Sequence, residues 1–390
     1  MTTNSTSELS DIQGTDLPLS GAAGIPQRLQ SLDTLRGFDM FWITGGEQLV
    51  AALVAATGWG WLRGMEEQLT HPAWHGFHAY DLIFPLFIFM AGVSTPYSFD
   101  SRLAKGLLRS RLARKAIQRG LILVLLGVIY NNGLFRTDYE TTRFASVLGR
   151  IGLAGMFAQL IYLYSPKRLL YVWLAVILVG YWLFMAFYPV PGCGAGLFTM
   201  ECNPASDFDM QFLPGRIYKK IHDPEGLMST IPAIATGLLG ILAGQILRIK
   251  ANDLSAYRKV LTLAGIGVAS IVLALVWNLF FPINKNLWTS SFVLLVGGLS
   301  FILLSLFYWV IDVLDFRRWT FFFIVIGMNS IVIYMAHEFI DFEYTANALF
   351  GGLLGHFSGA ARAVGSVVAY ILVQWALMYV LYRNRWFLKV

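Results

Sequence analysis

Runs of about 20 apolar residues recur along this chain, and a run of that length is what an α-helix needs to cross ~30 Å of hydrocarbon. Ten such spans are predicted, over residues 36–57, 78–99, 117–135, 144–164, 169–188, 228–249, 259–281, 289–313, 320–340 and 363–382. Charge agrees, since 13% of the 390 residues are charged and 56% are hydrophobic. Soluble domains carry about 25% charged residues. A soluble enzyme, a disordered chain, a collagen-like fibre and a disulfide-rich secreted module are excluded together. The expected fold is all-α, a polytopic membrane protein with about ten transmembrane helices.

An even number of spans puts both termini on one side, and most of the 29 Lys and Arg fall on the side of the N-terminus. The positive-inside rule then predicts N-in and C-in. Residues 102–119 hold seven basic residues and no acidic one. The net charge of +6 is therefore a topology signal and not a nucleic-acid signature. Its partners are anionic lipid headgroups or the phosphates of a nucleotide-bearing cofactor. Residues 1–27 are rich in Ser, Thr and Gly, lack a basic n-region and an apolar h-region, and read as a disordered cytoplasmic tail. Two outside segments are long, about 58–77 and 189–227. The second carries Cys193 and Cys202, placed in a compartment where they can pair. Without a histidine at zinc spacing they make no metal site.

Polar groups at membrane depth are costly and are functional candidates. The densest cluster is His71-Pro72-Ala73-Trp74-His75-Gly76-Phe77-His78-Ala79-Tyr80-Asp81, just ahead of an apolar helix. Three readings compete for it. His71 and His75 at i, i+4 with Asp81 resemble metal ligands, though Pro72 and Gly76 interrupt a regular helix. Histidines beside Trp74 also suit an interfacial aromatic belt. The third reading is acid–base chemistry, with a histidine as base and Asp81 fixing its tautomer. Glu47, Asn131-Asn132, Arg150, Asn284-Lys285-Asn286, Asn329-Ser330 and His337-Glu338 recur near outside ends of spans. Each alone suits a cap or an inter-helix bond; together they would line one outward-facing cavity. The pattern alone leads to a membrane enzyme or transporter with an outward polar site.

At these residues the chain resembles the heparan-α-glucosaminide N-acetyltransferase family. RLQSLDTLRGFDMFW (28–42) is similar to the family's opening signature and HPAWHGFHAYDLIFPLFIFMAGVS (71–94) to its catalytic-histidine segment. DPEGLMSTIPAIATGLLGILAG (223–244), NKNLWTSSFVL (284–294) and GMNSIVIYMAHE (327–338) follow in the family's order. The resemblance implies a transmembrane acyltransferase domain over 28–390, moving acetyl from cytosolic acetyl-CoA to an amino sugar or glycan end on the far side. His71 matches the catalytic histidine and Asp81 the aspartate after it, with Asn286 and Asn329 in the matching later blocks. Glu47, Trp74, Lys285, His337 and Glu338 are the expected acceptor-binding residues. Arg102, Arg109, Arg317 and Arg318 are the expected contacts to CoA. No metal is expected.

Two departures bear on the substrate. The animal enzyme carries a lumenal domain ahead of its membrane part, and this chain reads as a bacterial-type member without it, in an inner membrane. The family's Asn before the glycines of the first span is here replaced within Ile43-Thr44-Gly45-Gly46-Glu47. A cell-envelope sugar is accordingly a better expectation than heparan. The animal relative also implies a homodimer. O-acetylation of a glycan, transport of a small molecule and an inactive lipid-binding or scaffolding role are the rival readings. Direct transfer and an acetyl-histidine intermediate are both open.

Overall fold

Within a bilayer every backbone N–H and C=O must be bonded inside the segment, which leaves helices as the local solution for apolar runs of this length. A computed structural model describes residues 29–134 and 138–388. The tail expected at 1–27 lies outside the described residues. The long helices are α1 Gln30–Thr57, α2 Ala79–Ala104, α3 Arg109–Asn132, α4 Val147–Tyr164, α5 Leu169–Phe187, α6 Leu227–Arg248, α7 Ala256–Trp277 and α8 Ser290–Val313. They are followed by a broken helix α9 (Thr320–Gly327 and Ser330–Phe339, bent by 67°) and by α10 Gly359–Arg383. No strand occurs among the described residues.

Eight of these helices are long and apolar enough to cross a membrane, and the bent pair makes up to nine. The expected span 117–135 is helical as far as Asn132. However, α3 opens with Arg109, Arg111, Arg114, Lys115 and Arg119, which keeps it out of that apolar set although its second half is apolar. The all-α polytopic architecture stands. α1 is longer than expected and is interrupted by a π turn at Trp42–Gly46, where Gly45 sits at φ 137°. A side chain would be strained in that backbone conformation.

Lipid offers helices no hydrophobic gain for pairing, so close packing at small residues holds them together. In α6 Gly240 and Gly244 face α2: a Cβ at Gly240 would fall 2.0 Å from the Phe89 carbonyl oxygen, and one at Gly244 2.4 Å from that of Val93. α7 and α8 touch at Gly267 and Gly298, and α1 and α9 at Gly37 and Gly327. Most of α2, α6 and α8 is buried, whereas α5, α7 and α10 turn broad apolar faces outward.

The connections form two opposite faces. On one, the loop before α2 meets the α5–α6 and α7–α8 loops, through Trp74 Nε1 donating to the Phe198 carbonyl (2.7 Å) and the Gly76 N–H donating to that of Ile283 (2.9 Å). Here too Cys193 and Cys202 are disulfide-bonded, and Asn203 caps the short helix Pro204–Phe212. The other face is basic, with Arg248 clasping Asp100 at the ends of α6 and α2. Within the His71-side cap, His222 is 3% exposed, lies 3.1 Å from the Ser206 hydroxyl and stands edge-on to the Trp74 ring. Burial pushes its imidazole down to about 4.

Two outcomes follow from this packing. Gly240→Val should lower stability by about 1–3 kcal/mol through overpacking, read as a melting midpoint in detergent; an unchanged midpoint would contradict the close approach. His222 is held neutral, so its contribution is whole above pH 6.5 and is lost as pH falls from 6.5 toward 4. At pH 5 the wild type should have lost about 2 kcal/mol relative to His222→Gln. Parallel melting curves for the two proteins between pH 7 and 5 would remove that burial effect.

Candidate active site

Asp81 opens α2 and has no exposed surface. Its Oδ2 accepts the His78 N–H at 3.0 Å, closing the first turn, and its Oδ1 meets His71 Nδ1 at 2.6 Å. Pro72 and Gly76 turn the intervening chain back on itself, so residues ten apart in sequence become hydrogen-bond partners. The His71 side chain remains 49% exposed. Lys285 comes from the α7–α8 loop, its Nζ 3.0 Å from His71 Nε2 and 3.4 Å from Asp81 Oδ1. Burial pushes the Lys285 ammonium below its ordinary range, against the pull of Asp81 and Glu225. The carboxylate orients the ring, and the second ring nitrogen is presented to the groups beside it.

His75 does not join His71. Its Nδ1 lies 3.2 Å from the Asn284 amide nitrogen, and burial pushes its imidazole down. The metal reading fails on this divergence, and no group of three or more His, Cys, Asp or Glu placed for a metal occurs among the described residues. Trp74 has an indole bonded to Phe198 and a ring on His222, and so holds the loop from behind. Glu47 flanks Tyr80, whose ring lies 5.1 Å from that of His71.

In the α7–α8 turn the organising residue is Asn284, fully buried, whose Oδ1 accepts the Leu287 N–H at 3.0 Å. Asn286 lies in the same turn, half-buried. Beside it a second charged cluster forms. Arg143 donates to Asp223 (2.6 and 2.9 Å) and Glu225 (2.5 Å) and lies over the Tyr218 ring. Asn132 grips the Arg143 backbone through both atoms of its amide, at 2.9 Å each. Arg150, 2% exposed, donates to Gly226 and Ser229 and lies over the Trp288 ring at 4.8 Å. Spacing in sequence gives no sign of these pairings.

Two cavities border this region. One of about 760 Å³ opens among Arg36, Arg102, Lys115 and Arg119 and runs past Ser94, Gln159 and Asn329 to Phe84, three residues along α2 from Asp81. Arg109, Arg317 and Arg318 are not on its lining; Arg317 pairs with Asp315 instead. Nor are His71 and Asp81, which lie beyond Phe84. The Phe84 ring packs edge-on against Trp288. The other cavity, of about 640 Å³, is lined by Gln48, His337, Glu338, Asp341 and Glu343. The structure thus brings His71, Asp81 and Lys285 together, sets Glu47 beside them through Tyr80, and places Asn329 on the basic cavity and His337–Glu338 on the acidic one.

The family model for the catalytic part of heparan-alpha-glucosaminide N-acetyltransferase matches residues 28–279. Heparan-alpha-glucosaminide N-acetyltransferase of Homo sapiens is 28% identical over 445 residues, covering 98% of this chain and 64% of that protein. The Mus musculus protein of that name is 27% identical over 415 residues, covering 93% and 60%. This chain therefore spans somewhat less than two thirds of the length of these relatives. With more than half of its residues matched by the family model, from the opening signature through α7, the chain belongs to the heparan-α-glucosaminide N-acetyltransferase catalytic family.

Proposed function

We propose that this protein is a transmembrane acetyltransferase that takes acetyl from acetyl-CoA at its basic face and delivers it to the amine of an amino sugar or glycan end at the His71 face. The observation that carries the reading is the 2.6 Å bond from His71 to a fully buried carboxylate, with the imidazole otherwise half open. The positive-inside rule makes the basic face cytosolic, where acetyl-CoA is made available. In a bacterial cell the opposite face would meet the periplasm, and the acceptor would be a cell-envelope sugar.

With Nδ1–H donated to Asp81, His71 keeps the lone pair on Nε2. The acceptor nitrogen attacks the thioester carbonyl carbon and passes its proton to Nε2. Collapse of the tetrahedral adduct breaks the C–S bond, and the leaving thiolate takes the proton back from the imidazolium. Lys285 is near enough to support the negative charge that develops on oxygen. The cation-lined mouth at Arg36, Arg102, Lys115 and Arg119 suits the phosphates of CoA, and the narrower run toward Phe84 suits its pantetheine arm. The acidic cavity at Glu338, Asp341 and Glu343 suits a protonated amine on the acceptor side. Transfer then requires the Phe84 ring to leave Trp288, joining the donor cavity to His71.

His71→Ala should cut acetyl transfer by about 10²–10⁴-fold, measured as CoA thiol released from acetyl-CoA in the presence of glucosamine. Full activity in that variant would withdraw the assignment. Asp81→Asn should fall on the same scale by leaving the ring in the wrong tautomer. Lys115→Glu should raise the KM for acetyl-CoA about tenfold with kcat little changed, the loss expected for a phosphate contact; an equal fall in kcat would place Lys115 elsewhere in the reaction.

A further inference from the structure

Asn329 sits at the break of α9, at φ −130° and ψ 34°, and is 2% exposed. Its carboxamide is engaged at both ends by a short piece of backbone. Nδ2 donates to the Trp386 carbonyl at 3.1 Å, and Oδ1 accepts the Leu388 N–H at 3.3 Å. That segment follows the end of α10 and turns back through Arg385, in the left-handed region at φ 57°. Phe387 and Leu388 then lie on the wall of the same cavity as Arg36, Arg102 and Lys115.

A side-chain amide paired with the C=O of one peptide group and the N–H of the next recognises two secondary amides in series, whatever molecule carries them. The pantetheine arm of CoA is built around two secondary amides. The C=O of the first and the N–H of the second can take the places that Trp386 and Leu388 hold here. We propose that the Asn329 carboxamide is the amide subsite for the pantetheine arm, and that the segment Trp386–Leu388 holds this subsite in the resting protein and is displaced by the donor. The inference rests on the acetyl-CoA reading above. Asn329 is thus a binding residue of the donor arm, on the lining of the basic cavity. The hydrogen bonds that the segment gives up are replaced in kind by the arm, so exchange costs the buried Asn329 nothing in unmet partners.

The test uses the whole protein in nanodiscs with CoA as the probe. Calorimetry registers binding, and hydrogen exchange follows the backbone at residues 386–388. CoA should speed exchange at Phe387 and Leu388; protection that rises or stays level while CoA binds would show the segment to be a fixed wall. Leu388→Pro removes the N–H given to Asn329 and should tighten CoA binding about threefold to tenfold, the equivalent of one neutral hydrogen bond. Asn329→Ala should loosen CoA binding by a similar factor and abolish the effect of Leu388→Pro. Affinity that is unchanged or weaker in Leu388→Pro overturns the displacement while leaving the donor reading intact. Absence of CoA binding to the wild type overturns both.

Discussion

A carboxylate with no exposed surface at the mouth of a membrane helix can persist only if donors surround it, and Asp81 draws them from three parts of the chain. The His78 N–H comes from its own helix start, His71 from the preceding loop and Lys285 from a loop more than 200 residues away. These bonds cannot form one at a time without leaving a buried charge part-satisfied, so the helix start and the two loops are fixed as a unit. The remaining ties extend the unit: Gly76 to Ile283, His75 to Asn284, and Trp74 to the disulfide-bearing loop at Phe198. His71 is positioned by the same contacts that satisfy the buried acid.

The charge distribution along the bundle axis fits a reaction with unlike substrates on its two sides. Cations gather at the mouth of the cavity that ends at Phe84, and carboxylates gather at Glu338, Asp341 and Glu343 around the other. A phosphate-bearing donor and an amine acceptor would each be drawn to a different face and repelled from the opposite one. In the proposed reaction the two would meet at His71, beyond Phe84 from the basic cavity.

What could be read from the sequence divides along local and distant contacts. Helix spans are local, and hydropathy located them. It missed the early start of α1, whose first turns carry charge, and could not see that Gly327-Met328-Asn329 bends α9 by 67°. The contact between His71 and Asp81 was legible because the ten residues between them carry the whole turn. Lys285 was legible only as a polar residue in an apolar neighbourhood. In the α7–α8 turn the sequence does not tell Asn284 from Asn286, two residues on, because which amide faces inward depends on Trp288 at φ 51° and on a turn closed by Thr289. Arg143, Asp223 and Glu225 meet across some 80 residues, and nothing in their spacing foretells it.

The apolar layer at Phe84 looks at first like an objection to transfer across the bilayer, yet a protein whose basic cavity stood permanently open to His71 would leak protons and ions through that site. A barrier is needed, and it should be thin and able to move. Phe84 meets both conditions. It is one ring, lying against Trp288 on one side and within 5.9 Å of the Arg150 guanidinium, and only one helical turn of α2 separates it from Asp81. Arg150 remains buried across the same layer, held by Gly226, Ser229 and the Trp288 face. A fixed cation there opposes the passage of protons and metal cations whichever way the ring turns, while a neutral thioester arm is not excluded by charge. Such a layer would favour the kind of group that the proposed reaction brings through it.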